Sequence, residues 1–148
     1  MNVIADTCFW ISLCDPKDSN HEETVLMMET IMQNGSIRLL VPHPVLYESL
    51  CSKMVRKPNQ VQTLTSYFNL VDKVADEEYI DDAYSVIVDQ AFHSSGEASM
   101  VDIVIMKMSV DPKNQVKGIL TRNGRDFAQF CMKRRIPMIN NISVLNAF

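Results

Sequence analysis

Short apolar runs closed by turn signals alternate along this sequence with longer segments of helical spacing, and few folds tolerate that alternation. The short runs are Asn2 to Ala5, Arg38 to Val41, Gly118 to Thr121 and Met138 to Asn140, and their near-continuous apolar character is that of strands buried on both faces. Helical spacing covers residues 20 to 34, 44 to 56, 59 to 69, 77 to 92, 97 to 110 and 126 to 134. Strands alternating with helices predict an α/β domain with a mostly parallel central sheet. Leu70 to Val74 reads as a further edge strand or as a connector.

A chain of 148 residues suits one domain over 1–148, since folding at that size buries roughly 70% of the unfolded surface. No internal repeat and no linker-like Gly, Ser or Pro stretch divides it. With 47% hydrophobic and 22% charged residues, it lacks a disorder signature. The ten methionines are read as adaptable core filler rather than cofactor ligands. Cys8, Cys14, Cys51 and Cys131 show no paired CxxC spacing and are expected to be reduced, buried thiols. No apolar run reaches about 18 residues, and an acid, Asp6, stands where a signal peptide carries basic residues. A cytoplasmic protein without a membrane segment is expected.

Local signals support these boundaries. Pro44 falls in the first turn of the helix after the second strand, where a proline forfeits no helical hydrogen bond. Ser94 and Glu97 have capping-box spacing ahead of the apolar stretch that follows. Asp76, Glu77, Glu78, Asp81 and Asp82 suit the first turns of a helix, where the macrodipole favours negative charge, and are read as a solvated helix start rather than a metal site.

Four other acids have more informative positions. Asp6 directly follows a short apolar strand, at the end of the sheet where ligands bind in open α/β folds; it is equally placed to cap a helix starting near Thr7 or Cys8. Asp102 lies in a segment apolar almost all the way round, Ala98 to Met108, which belongs in the interior. A carboxylate there costs several kcal/mol unless it is paired, hydrogen-bonded or bound to metal, so Asp102 requires a partner: an arginine, a helix N-terminus or a cation. Glu48 sits at the polar boundary of the helix after the second strand, as a surface glutamate or as a site residue. Asp126 follows the Asn123-Gly124 turn and suits a helix cap near Phe127, yet its loop also leaves a strand's carboxyl end and brings Asp126, Asn123 and Thr121 beside the crevice that Asp6 faces.

Acids that approach one crevice from separate elements repel one another, and a cation relieves that repulsion. An all-oxygen set suits Mg²⁺ or Mn²⁺, and no His or Cys cluster has zinc spacing. The net charge of -4 argues against a protein that coats nucleic acid, whose affinity comes from cationic contacts with phosphate. Divalent ions among the acids would reverse the local field, so a modest basic rim then suffices.

Four pieces together resemble the PIN-domain nucleases, particularly the VapC-like toxins of toxin-antitoxin pairs: IADT at 4–7, VLYESL at 45–50, ASMVDIVI at 98–105 and LTRNGRDF at 120–127. They span nearly the whole chain in that family's order, and the last is the most specific. The resemblance implies a three-layer α/β/α sandwich with a central, mostly parallel sheet. It also implies that Asp6, Glu48, Asp102 and Asp126 hold one or two divalent ions, with Thr7 and Asn123 as auxiliary polar residues. Relatives carry smaller, alanine-rich residues after the helix aspartate, where this chain has DIVIMKMS.

The activity so implied is hydrolysis of RNA phosphodiester bonds with Mg²⁺ or Mn²⁺. Arg122, Arg125, Lys53 and Arg56 are candidate contacts for the RNA backbone, although each singly reads as ordinary surface charge. A homodimer and a small antitoxin partner are further implications. The alternative is a PIN-like module that binds RNA or protein without cutting. Two other α/β classes fit less well: a haloacid-dehalogenase phosphatase needs a second acid where Cys8 stands, and a receiver domain needs an acidic pair after its first strand.

Overall fold

A computed structural model describes residues 1–93 and 98–148. Five strands form the sheet: β1 (Asn2–Ala5), β2 (Arg38–Pro42), β3 (Asp72–Val74), β4 (Val116–Leu120) and β5 (Met138–Ile139). Their spatial order is β3-β2-β1-β4-β5, and every pairing is parallel. The apolar runs are buried as a two-sided strand requires: Val3, Ile4, Ala5, Val41, Ile119 and Leu120 are sealed from solvent. Leu70 to Val74 resolves into a connector followed by the short edge strand β3, paired to β2 through Leu40 and Asp72.

Eight α-helices accompany the strands among the described residues, the last following β5: α1 (Thr7–Cys14), α2 (His21–Gln33), α3 (His43–Cys51), α4 (Pro58–Phe68), α5 (Glu77–His93), α6 (Met100–Val110), α7 (Gly124–Arg134) and α8 (Ile142–Asn146). From β1 the chain winds outward to β2 and β3, then crosses back to β4 on the other side of β1. Because parallel crossovers are right-handed, that reversal puts α1 to α4 on one face and α5 to α7 on the other. The expected α/β/α sandwich follows. On the first face Trp10, fully buried, meets Phe9 and Phe68 edge-on at centroid distances of 5.5 and 5.0 Å, a favoured geometry for aromatic quadrupoles.

Several boundaries differ from the sequence expectation. The segment 44–56 is not one helix: α3 stops at Cys51, and Ser52 caps a separate 3-10 turn over Lys53–Arg56 by accepting from the Met54 N–H. The Ser94–Glu97 capping box lies outside the described residues, whereas Ser99 and Asp102 form a complete capping box at the start of α6. Asp76 is buried rather than solvated, and Cys51 is exposed rather than buried. Pro44 does stand in the first turn of α3. No helix among the described residues is long and apolar enough to cross a membrane.

Candidate active site

The reversal of winding falls between β1 and β4, whose carboxyl ends therefore open a crevice. Asp6 and Thr121 are the first residues beyond those two strands, and the ladder continues into them through Asp6 N–H to the Leu120 carbonyl at 2.9 Å. Asp6 is 5% exposed. Its Oδ1 caps α1 by accepting from the Thr7 N–H at 2.6 Å, while Oδ2 accepts from the Thr121 hydroxyl at 2.9 Å and from the Cys8 thiol. The helix cap foreseen for Asp6 is thus present.

Thr7 joins the next acid to this center, because its hydroxyl donates to Glu48 Oε2 at 2.5 Å. Glu48 itself is exposed, with Thr7 bridging α1 to α3. Asp102 is 9% exposed and stands in the first turn of α6, not deep within it; its Oδ2 accepts from the Ser99 N–H at 2.8 Å. Burial pushes the Asp6 carboxyl above its ordinary pKa, and the Asp102 charge pushes the same way against the hydrogen bonds from Cys8, Thr121 and Thr7. That repulsion places Asp102 within electrostatic reach of Asp6. Among the described residues no Lys, Arg or His pairs with Asp6, Glu48 or Asp102.

Asp126 joins from the β4 side. It sits in the first turn of α7, accepting from Asn123 Nδ2 at 2.5 Å and lying 3.3 Å from Arg125 Nε. The Asn123 N–H in turn donates to Thr121 Oγ at 3.0 Å, so Asp126 and Asp6 are linked through Asn123 and Thr121. The N-termini of α1, α6 and α7 carry these three aspartates, and their dipoles favour the negative charge. Among the described residues, however, no three His, Cys, Asp or Glu side chains are close enough to enclose an ion as they stand.

Cys8 is a participant that the sequence did not single out. Its thiol donates to Asp6 and accepts the Arg122 and Asn123 N–H groups at 3.1 and 3.2 Å, tying the β4 loop to the start of α1. Burial, with the adjacent Asp6 charge, raises its pKa to about 12, so it is a neutral thiol and no nucleophile at pH 7. Alkylation by iodoacetamide in native buffer should therefore modify exposed Cys51 well before Cys8. Mass spectrometry of the peptides checks this order, and Cys8 reacting first would contradict it.

The proposed RNA contacts separate into two kinds. Arg122 requires correction: its side chain is 9% exposed and donates to Asn20 Oδ1 at 2.7 Å, Glu23 Oε2 at 2.8 Å and the Asn140 carbonyl at 2.7 Å. A guanidinium so engaged fastens the β4 loop to α2 and the start of α8, and is not available to phosphate. Arg125, Lys53 and Arg56 are exposed. Lys53 and Arg56 have no ion-pair partner among the described residues, whereas Arg125 leans on Asp126.

The sheet topology and the likeness to a solved structure together give a VapC-like PIN fold. One solved structure with this likeness is VapC20 of Mycobacterium tuberculosis, a sarcin-ricin loop cleaving toxin, which matches with a TM-score of 0.66 over 86% of this chain and 94% of that one. Sequence identity is 17%, so the likeness is one of fold. No family model and no curated protein matches the sequence.

Proposed function

We propose that this protein is a metal-dependent endoribonuclease that hydrolyses RNA phosphodiester bonds, with Asp6, Glu48, Asp102 and Asp126 holding Mg²⁺ or Mn²⁺. The observation that carries the proposal is Asp6: a buried carboxylate at the switch point of the sheet, held by Thr7, Cys8 and Thr121, with no cationic partner among the described residues. The donor chemistry fits the ion, since every candidate ligand offers hard carboxylate oxygen. When bound, Mg²⁺ or Mn²⁺ would supply Lewis-acid stabilisation to a phosphodiester under attack by water.

The chain's own residues have definable tasks. Thr121, Cys8 and the Thr7 N–H fix the Asp6 carboxylate by three hydrogen bonds, which limits the reorganisation left for ion binding. Glu48, held by Thr7, is the most exposed of the four and would suit the task of accepting a proton from the attacking water. Asn123 donates to Asp126 and would restrain its orientation. Arg125, Lys53 and Arg56, all exposed, would meet backbone phosphates.

One observation favours a second assignment, a PIN-like module that binds without cutting: each acid already accepts a hydrogen bond, and no three of them close around an ion as they stand. Incubating a single-stranded RNA with the protein in Mn²⁺ and in EDTA separates the two. Cleavage in Mn²⁺ that EDTA stops is expected; metal-independent retention of intact RNA would instead favour the binding module. An antitoxin that covers the crevice and a homodimeric state, both implied by the sequence resemblance, are part of this proposal. Size-exclusion chromatography with light scattering tests the dimer, and a monomer would remove that part alone.

A further inference from the structure

Beyond the four acids, the same edge of the sheet carries a cluster with no evident structural purpose. His43 is the first residue of α3, directly after β2, and Asp76 lies two residues beyond β3. The β1-β2 register pairs Ile4 with Leu40 and the β2-β3 register pairs Pro42 with Val74, so the carboxyl ends of all three strands lie side by side and His43 emerges one strand from Asp6. The Asp76 side chain is 10% exposed, and its Oδ1 lies 3.9 Å from His43 Nδ1. A carboxylate so buried is costly without a partner, and the ring it faces is the half-buried imidazole of His43. One turn further along α3, the Tyr47 ring stands 6.3 Å from that imidazole at 51°. Tyr47 is 62% exposed.

We propose that His43 and Tyr47 form a stacking platform for an unpaired nucleobase of the RNA, beside the phosphate that the carboxylates receive, with Asp76 fixing the imidazole. The proposal rests on the nuclease assignment above. Tyr47 immediately precedes Glu48 on α3 and stands about 100° round the helix from it, so a base on its ring would lie along the flank of the acidic crevice. The exposed Tyr47 ring, with the half-buried imidazole beside it, adds little to the core, whereas unpaired RNA bases are recognised by stacking on Tyr and His rings. The exposed Lys53 and Arg56, without carboxylate partners among the described residues, follow α3 in the next turn and offer charge to the flanking phosphates. An ordinary duplex keeps its bases stacked on one another, so the platform selects single strands, loops and bulges.

The test is steady-state cleavage in Mn²⁺ of a single-stranded oligonucleotide and of the same sequence fully paired, by the wild type and by Tyr47→Ala, Tyr47→Phe and His43→Ala. Tyr47→Ala should raise KM for the single strand about five- to a hundredfold, the range of one lost base stack, with kcat little changed as for lost uniform binding. Tyr47→Phe should keep the wild-type KM, His43→Ala should raise it, and neither alanine variant should alter cleavage of the duplex. If the wild type cleaves and Asp6→Asn does not, but Tyr47→Ala leaves KM unchanged, the platform is wrong while the nuclease assignment stands. Equal loss in Tyr47→Ala and Tyr47→Phe would also overturn it, since the hydroxyl and not the ring would then matter. A wild type that cleaves no RNA removes both.

Discussion

Replacing Asp6 with Asn is expected to lower metal-dependent RNA cleavage by at least about a hundredfold and, at the same time, to raise the melting temperature at neutral pH. Both effects have one cause. Burial and the Asp102 charge raise the Asp6 pKa in the folded protein, so the folded state prefers the protonated acid. The stabilising contribution is complete below the unfolded value of about 3.9 and is lost as pH rises through the raised folded value, leaving the ionised group a net cost at pH 7. Asn removes the charge and is as good a helix cap as Asp, so α1 keeps its Thr7 N–H bond. A gain of roughly 0.5–2 kcal/mol is expected, shrinking as the pH is lowered into the acid range. Thermal melts at neutral and acid pH check it, and a variant that loses stability along with activity would show Asp6 to be chiefly structural.

Arg122→Ala should be the most destabilising change at the site's periphery, costing roughly 2–4 kcal/mol. The lost guanidinium leaves Asn20 and the Asn140 carbonyl without their donor and frees Glu23, whose pKa the Arg122 hydrogen bond holds below its ordinary value. Glu23 also accepts the Ile142 N–H, so the start of α8 loosens with it. Arg122→Lys cannot rescue three separate acceptors with one ammonium group. Denaturant titration of both variants measures the loss. If instead stability is kept while the salt dependence of RNA binding falls, Arg122 is a phosphate contact after all.

What was legible in the sequence was whatever depended on local pattern. The strand runs, the parallel α/β alternation and the helix after the Asn123-Gly124 turn follow from apolar periodicity and turn chemistry, and the structure has them at those positions. The helix α1 was foreseen only as a cap on Asp6, because TCFWISLC is apolar throughout and shows no polar face to mark its period. Ser52 broke a helix that spacing alone continued, since its side chain offered the backbone a competing turn. The Ser-x-x-acid signature before α6 was sought at Ser94 and found at Ser99, which moves Asp102 from the middle of a buried helix to its mouth.

The site was less legible for the same reason: partners far apart in sequence decide it. Arg122 looks like a surface cation until Asn20, Glu23 and Asn140 converge on it from other elements. Cys8 looks like core filler until the β4 loop lays two N–H groups on its sulfur. Its position two residues after Asp6, in the first turn of the same helix, is the signal that could have revealed it.

Mn²⁺ binding, followed by the loss of the free-ion paramagnetic resonance signal, tests most directly whether the four carboxylates serve one cation. The wild type should bind, and Asp6→Asn, Glu48→Gln, Asp102→Asn and Asp126→Asn should each weaken binding by at least about tenfold, the least effect seen even for residues outside a metal's own ligands. Binding that persists unchanged in these variants, or a wild type that takes up no Mn²⁺ at millimolar concentration, would contradict the proposed center.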